Sequence, residues 1–232
     1  MALKQELEEG VAKIFSEVWT KREGRVVPEA EDLRLGNDAI TLNGTILYAD
    51  LSDSTGLVDS HKPCFAAEVY KAYLFSAAKI IRSRGGSITA YDGDRIMAVF
   101  LGDSKNTSAA KAALNINWAT QQIINPALSR QYPKATFRVK QTVGIDTSDL
   151  WVARTGVRGA NDLVWVGRAA NHAAKLASMS SDYPSWISGD VYDCLAEEAK
   201  IATDGRSMWE QRVWTKMNDR RIYRSSWNWS IV

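Results

Sequence analysis

Cysteine and histidine are scarce, two of each in 232 residues. Cys64 and Cys194 stand far apart in a chain large enough to bury its own core, so a disulfide framework is unnecessary and a reducing compartment is the simpler setting. No Ser-His or Cys-His nucleophile is legible: His61 falls near a predicted helix start, His172 follows Asn171, and neither is read as a metal ligand. Charge of one sign is also lacking. With 29 basic against 27 acidic residues the net charge is +2, which excludes a general attraction to nucleic acid or anionic membrane and requires any nucleotide to be held by a local site. Long apolar runs are missing as well. MALKQELEEG alternates charges where a signal peptide would be apolar, and no later run approaches about 18 uncharged apolar residues, so a cytoplasmic protein without membrane insertion is expected. What the chain does have is aromatic mass: nine Trp, eight Tyr and five Phe, too much apolar surface for a disordered chain.

Helical spacing of Leu7, Val11, Ile14, Phe15, Val18 and Trp19 predicts an amphipathic N-terminal helix, followed by a polar approach segment to residue 43 with one short strand. We take residues 1–43 as that leader and 44–232 as the principal domain. TILYADLS reads as a strand with Asp50 at its end. The segment from about Ser60 to Arg84 reads as a long helix closed by Gly85-Gly86. SITAY, DGD and RIMAVF predict a hairpin with a carboxylate at its tip. A second helix fits residues 105–126, ending before Pro126 or shortly after it, with Pro133 downstream. ATFRVKQTVGID, LWVARTG and DLVWVG read as three strands, and a helix follows over 168–178. Strand, helix, hairpin, helix, strand is the order of an α+β, ferredoxin-like fold, an antiparallel-rich sheet with helices layered on one face.

That order brings the end of the first strand beside the hairpin tip. Asp50 and Asp94 can then share divalent ions, with the Leu51 carbonyl as a further oxygen ligand. Asp53 and Asp92 stand close by as alternatives. Mg²⁺ takes hard oxygen ligands and keeps substrate phosphates in its shell, which suits an open two-carboxylate site. The structural reading of the same residues is that Asp at a strand end or in a DGD turn bonds nearby backbone amides.

LYADLSDST is similar to the first metal motif of the class III nucleotidyl cyclases, F-A-D-I-x-G-F-T, and YDGDRIMAVF resembles their second, T-I-G-D-x-x-M-A-x-F. VGIDTSDLWVARTGVRGANDLVWVGRAANHAAKLAS resembles the stretch from their G-I-x-x-G strand to V-G-x-x-V-N-x-A-A-R-L. The match spans about Gly44 to Ser178. The resemblance implies two Mg²⁺ or Mn²⁺ ions on Asp50, Asp94 and the Leu51 carbonyl. It implies an Asn171 that orients the ribose, a Lys175 where the family usually has a phosphate-contacting arginine, and, in the loosest alignment, a Lys216 that reaches the terminal phosphates. Lysine is a point charge where arginine is a planar fork, so phosphate geometry changes at that position; Arg154, Arg158 and Arg168 are further basic candidates. The family's two halves come from different subunits, which implies a homodimer with two composite sites, its interface supplied in part by the many tryptophans.

Two family positions that ordinarily read a purine are Ala90 and Val164 here, and neither has a polar side-chain atom. Tyr48 and Tyr91 offer a ring or hydroxyl to a base, or are buried by strand alternation. The whole pattern resembles the bacterial pyrimidine cyclases of phage defence. By that resemblance UTP or CTP is cyclised, and the product acts on a separately encoded effector. Adenylate or guanylate cyclisation, a catalytically inactive nucleotide-binding regulator, and an RNA-binding module are the alternatives. The last lacks the grouped exposed aromatics and basic residues it needs.

Overall fold

The computed structural model describes residues 2–231. In chain order the elements are α1 (Leu3–Ser16), β1 (Thr20–Glu23), β2 (Asp38–Leu51), α2 (Ser54–Ser60), α3 (Pro63–Ser83), β3 (Ser87–Asp92), β4 (Arg95–Phe100), α4 (Lys105–Ala119), α5 (Asn125–Gln131), β5 (Gln141–Val157), β6 (Ala160–Val166), α6 (Arg168–Ala177), β7 (Ser185–Ser188), α7 (Gly189–Asp193), β8 (Glu210–Trp214) and β9 (Arg220–Ser225). They form two compact units: the described parts of Met1–Asn43 with Asp149–Gly167, and of Gly44–Ser148 with Arg168–Val232.

The larger unit is built on the strand order β3-β4-β2-β5-β7-β9-β8. The β3–β4, β2–β4, β7–β9 and β8–β9 pairs are antiparallel, and the β5–β7 pair is parallel. Alternation sorts its residues. Leu47, Ala49 and Leu51 of β2 and Ile96, Ala98 and Phe100 of β4 join Phe65, Val69, Tyr73, Ala77 and Ile81 of α3 and Ala109, Ala113 and Leu114 of α4 in one buried core. Burying these side chains is the main stabilising term of the unit. Val143 and Ile145 of β5 belong to the same core.

The intervening positions face the other way, and here a helix lies where the sequence reading placed none. A Cβ on Gly144 would sit 2.2 Å from the Ala173 carbonyl oxygen and 2.3 Å from the Ala177 nitrogen. Only glycine lets α6 come this close to β5. So α3 and α4 cover one side of the sheet and α6 the other, where Leu176 packs with Trp186, Trp214 and Ile222.

One further expectation is corrected. ATFRVK is not a strand, and QTVGID runs unbroken through Thr147, Ser148 and Asp149 into LWVARTG as one strand. The helix after Lys105 takes the later of the two ends read for it: it passes through a π-turn over Thr120–Ile124, restarts with Pro126 in its first turn, where the missing N–H costs nothing, and ends at Gln131. Trp186, Trp209 and Trp214 are buried, and the tail carrying Trp227 and Trp229 is tied to α4 by hydrogen bonds that the side-chain amides of Asn117 and Asn115 donate to the carbonyls of Trp227 (2.8 Å) and Trp229 (2.7 Å).

In the smaller unit β1 pairs in parallel with the first residues of β2, and β6 pairs with the end of β5. The predicted N-terminal helix is present but ends at Ser16, before Val18 and Trp19, and buries none of its residues. Asn37 holds its end by donating to the carbonyls of Ile14 (2.8 Å) and Glu17 (2.6 Å). Trp19 meets Trp151 edge to face at 5.7 Å.

Candidate active site

β2 and β4 place Asp50 directly opposite Arg95, and β3 places Asp92 opposite Arg95 on the far side. The two-residue turn between β3 and β4 has Gly93 at φ 61°, a left-handed position that suits glycine and sets Asp94 at the hairpin tip. The corner is rich in oxygen and poor in positive charge. Burial pushes the Asp50 carboxyl up to about 6, and the charges of Asp94 and Asp92 add to the rise against the pull of Arg95. That guanidinium lies 3.8 Å from Asp50 Oδ1. Asp94 Oδ2 is buried with no hydrogen-bond partner among the described residues, as is the hydroxyl of Tyr73, which is close enough to feel both carboxylates.

Under-compensated hard oxygens of this kind are the donor set of a divalent cation. Among the described residues no group of three or more His, Cys, Asp or Glu is arranged to hold a metal. The corner brings two carboxylates, Asp50 and Asp94, within electrostatic reach of each other. Leu51 follows Asp50 with its side chain buried in the α3 core. Asp53 lies outside the strand, exposed, with left-handed backbone at the start of α2.

Two register rows further along, Tyr48, Met97 and Ala90 are consecutive partners across β2, β4 and β3. Directly paired residues share a face of the sheet, so Tyr48 and Ala90 stand on the side that carries Asp50 and that α3 does not cover. Arg95 lies over the Tyr48 ring, 5.9 Å from its centre. Burial raises the Tyr48 hydroxyl's pKa. Tyr91 belongs to the alternate row, opposite Ile96, and lines a cavity of about 340 Å³ with Phe75, Lys79 and Ile88. The structure thus joins Tyr48 to Asp50 and Ala90 and turns Tyr91 away. Val164 lies in the smaller unit, on β6 opposite Ala153, 37% exposed.

α6 buries Ala169, Ala170, His172, Ala173, Leu176 and Ala177 and exposes Asn171 and Lys175. Four residues apart, these two lie on one stripe of the helix, about 6 Å along its axis. Lys175 Nζ is 3.6 Å from the sulfur of Met217, in the single turn Thr215–Met217 that also carries Lys216. The turn that carries Lys216 therefore lies beside Lys175, which shares its helix stripe with Asn171. No hydrogen bond, ion pair or ring contact joins them to Asp50 or Asp94 among the described residues.

Two residues at these places were missed in the sequence. Arg95 adjoins the YDGD motif but reads as an ordinary hairpin charge. Asp146 sits in VGID, where alternation in an apolar strand gives the signal: a carboxylate at a buried position needs a partner. It is fully buried, 3.1 Å from His172 Nδ1 and 3.3 Å from Arg168 Nε.

No protein-family model matches the chain. It is 52% identical over 232 residues to a uridylate cyclase of Xanthomonas perforans and 48% identical over 233 residues to one of Burkholderia cepacia, each comparison covering 100% of both chains. Among solved structures it resembles the guanylyl cyclase Cya2, with TM-score 0.67 and 18% identity over 82% of this chain and 94% of that one. It also resembles the adenylyl cyclase CyaB from P. aeruginosa, with TM-score 0.62 and 19% identity over 84% and 98% of the two chains. Full-length identity of this order, on a fold shared with solved cyclases and with the carboxylate corner in place, leads to one conclusion: the chain belongs to the class III nucleotidyl cyclases.

Proposed function

We propose that the protein converts a pyrimidine ribonucleoside triphosphate, UTP before CTP, to its 3′,5′-cyclic nucleotide and pyrophosphate. The row Tyr48-Met97-Ala90 carries this reading. It puts an aromatic ring and a methyl group on the face of Asp50, where a purine-reading site needs polar side chains. The whole-length likeness to two uridylate cyclases agrees with it.

In this reading Asp50, Asp94 and the Leu51 carbonyl hold two Mg²⁺ or Mn²⁺ ions. Bound there, such ions supply acidification of the ribose 3′-hydroxyl and neutralisation of charge on the departing phosphates. The chain's own groups do the positioning. Tyr48 and the small Ala90 receive the base, Asn171 orients the ribose, Lys175 meets the α-phosphate and Lys216 the terminal phosphates. Holding the 3′-oxygen in line with the α-phosphorus supplies much of the rate, because the reaction is intramolecular.

The carboxylate corner and the α6 surface act on one substrate from two copies of the chain, giving a homodimer with two composite sites. We place residues 44–232 as the catalytic domain and 1–43 as its leader. Among the described residues no helix is long and apolar enough to cross a membrane. We propose that the product is released in the cytoplasm to a separately encoded cyclic-nucleotide effector in antiviral defence, as the motif resemblance implies.

Incubation with each of the four ribonucleoside triphosphates and Mg²⁺ or Mn²⁺, with products identified by mass, tests the proposal. Cyclic UMP or cyclic CMP is expected. Predominant cyclic AMP or cyclic GMP overturns the base assignment, and nucleotide binding without turnover makes the protein a regulator.

A further inference from the structure

A buried carboxylate beneath α6 has no place in the reaction as described. Asp146 lies on β5 two residues from Gly144, on the same face, which turns both toward α6. Its side chain is fully buried, and charges lost to water must be compensated inside the protein. Both compensating groups come from α6: Arg168 from its first residue, with Nε at 3.3 Å, and His172 one turn later, with Nδ1 at 3.1 Å. They are close contacts of charge and dipole, without the alignment of a hydrogen bond.

The rest of the network fixes each partner in turn. Arg168 donates to the Thr147 carbonyl at 2.7 Å and to Asp190. The Ser148 hydroxyl accepts from the Ala169 amide at 3.0 Å, which closes the first turn of the helix onto β5. His172 meets Trp214 edge to face at 5.4 Å, and Trp214 is the residue from which the Lys216 turn begins. Asp146, Arg168, His172, Asp190 and Trp214 border a cavity of about 190 Å³ that also takes in Arg220 and Arg221. The helix is therefore anchored at two points a turn apart, by the charge of Arg168 and the ring of His172, and the neighbouring stripe, which is exposed, bears Asn171 and Lys175.

We infer that Asp146 is a positioning residue for cyclisation: acting through Arg168 and His172, it sets the rotation of α6 so that Asn171 and Lys175 meet the sugar and phosphates of the substrate. The inference rests on the proposed cyclase reaction for its functional half and on the geometry of α6 for the other. A helix turned by a few tens of degrees moves a side-chain tip by more than about 1 Å, and displacement of that size costs on the order of 100-fold in rate.

The test compares Asp146→Asn, His172→Ala and His172→Gln with the wild-type dimer, each also in an Asn171→Ala background, using UTP and Mg²⁺. Asp146→Asn and His172→Ala are expected to lower kcat about 30-fold with KM within about threefold, and His172→Gln, which keeps a donor toward Asp146, to stay within about threefold of wild type. In the Asn171→Ala background, with residual product read by mass spectrometry, the further loss should shrink to well below about 30-fold, because of the two groups that α6 positions only Lys175 is left to misplace. Losses that multiply in full across the two backgrounds overturn the inference, as does an unchanged kcat.

Hydrogen exchange supplies a readout independent of activity. Amides of residues 168–177 should exchange at least about tenfold faster in Asp146→Asn while those of α3 stay protected. If Asp146→Asn does not fold, His172→Ala carries both measurements. If wild-type protein makes no cyclic nucleotide from any triphosphate, the proposed function fails. Faster exchange confined to α6 then still supports the anchoring, and unchanged exchange overturns it.

Discussion

The β2–β4 corner and the strand beneath α6 both contain a carboxylate removed from water, and they treat it in opposite ways. Asp146 of β5 has two close partners on α6 and is fully buried. Asp50 has one guanidinium at 3.8 Å and two like charges nearby, and its carboxyl is pushed up to about 6. A charge that holds elements of the chain in place is compensated within the chain. A charge left under-compensated at a strand end destabilises the apo protein and is kept where a ligand will complete it. In the proposed reaction the corner would be where a cation binds, and α6 would be the surface that meets the sugar and phosphates.

The sharpest way to break this contrast is to remove the corner's charge. Asp50→Asn and Asp94→Asn keep side-chain volume and take away the anionic ligands, so each should lower kcat about 1,000-fold or more, on the order of 4 kcal/mol of transition-state stabilisation. The fold should survive, because neither change leaves a buried cation stranded: Arg95 is a third exposed. Turnover with each variant at saturating Mg²⁺, beside a thermal melt, checks this. Near wild-type activity in both would end the two-carboxylate assignment.

The second measurement asks whether the two regions belong to one site across two chains. An Asp50→Asn, Asp94→Asn double variant and an Asn171→Ala variant, each inactive, should regain activity when mixed. Half the dimers of an equal, equilibrated mixture are mixed pairs, and one of their two sites is intact, so recovery should approach about a quarter of wild type. Mixed pairs that form but stay inactive count against shared sites.

Base choice is a smaller effect. With Tyr48 and Ala90 in one row, UTP or CTP should have the higher kcat/KM and purines should be at least about tenfold worse, equal to about 1.4 kcal/mol. Competition of all four nucleotides at equal concentration reads this directly. Tyr48→Ala should narrow the gap and Tyr91→Ala should not, since Tyr91 turns toward α3.

How much of this was legible beforehand follows from which residues act locally. The hairpin, α3 and the strand bearing Asp50 announce themselves because their turn residues and apolar spacing are local signals, and the two aspartates sit where those signals end. α6 was legible as a helix. Its side of the sheet was not, since that depends on the clearance over Gly144, a contact between residues distant in sequence. Thr147, Ser148 and Asp149 read as a break, yet β5 continues through them because Ser148 and the Thr147 carbonyl are engaged by α6. Arg95 and Asp146 were passed over for a common reason. Each is a single charge whose meaning lies in its partner, and the partner is supplied by the fold.

The smallest effect concerns stability, and it is the most direct measure of the contrast. Asp50 ionises in the folded protein at about 6 against an ordinary 3.8, so between those values the native state holds more protons than the unfolded chain. Stability from this group is then full below about pH 4 and falls as pH rises to about 6, the reverse of a carboxylate held by strong partners. Partial exposure and Arg95 keep the loss modest, roughly 1 kcal/mol. Urea unfolding in the presence of a chelator, at pH 4.5 and pH 7, should show wild type losing that much more stability than Asp50→Asn, whose neutral amide has no charge to confine. Using the difference between the two proteins cancels the titration of groups elsewhere, such as Asp38, which Arg34 and Arg22 hold below its ordinary value in spite of burial. Saturating Mg²⁺ at pH 7 should then stabilise wild type and leave the variant nearly unchanged, because cation binding favours the ionised, folded form. Parallel pH dependence in wild type and variant, with equal Mg²⁺ response, would mean that the corner is as well compensated as the carboxylate under α6.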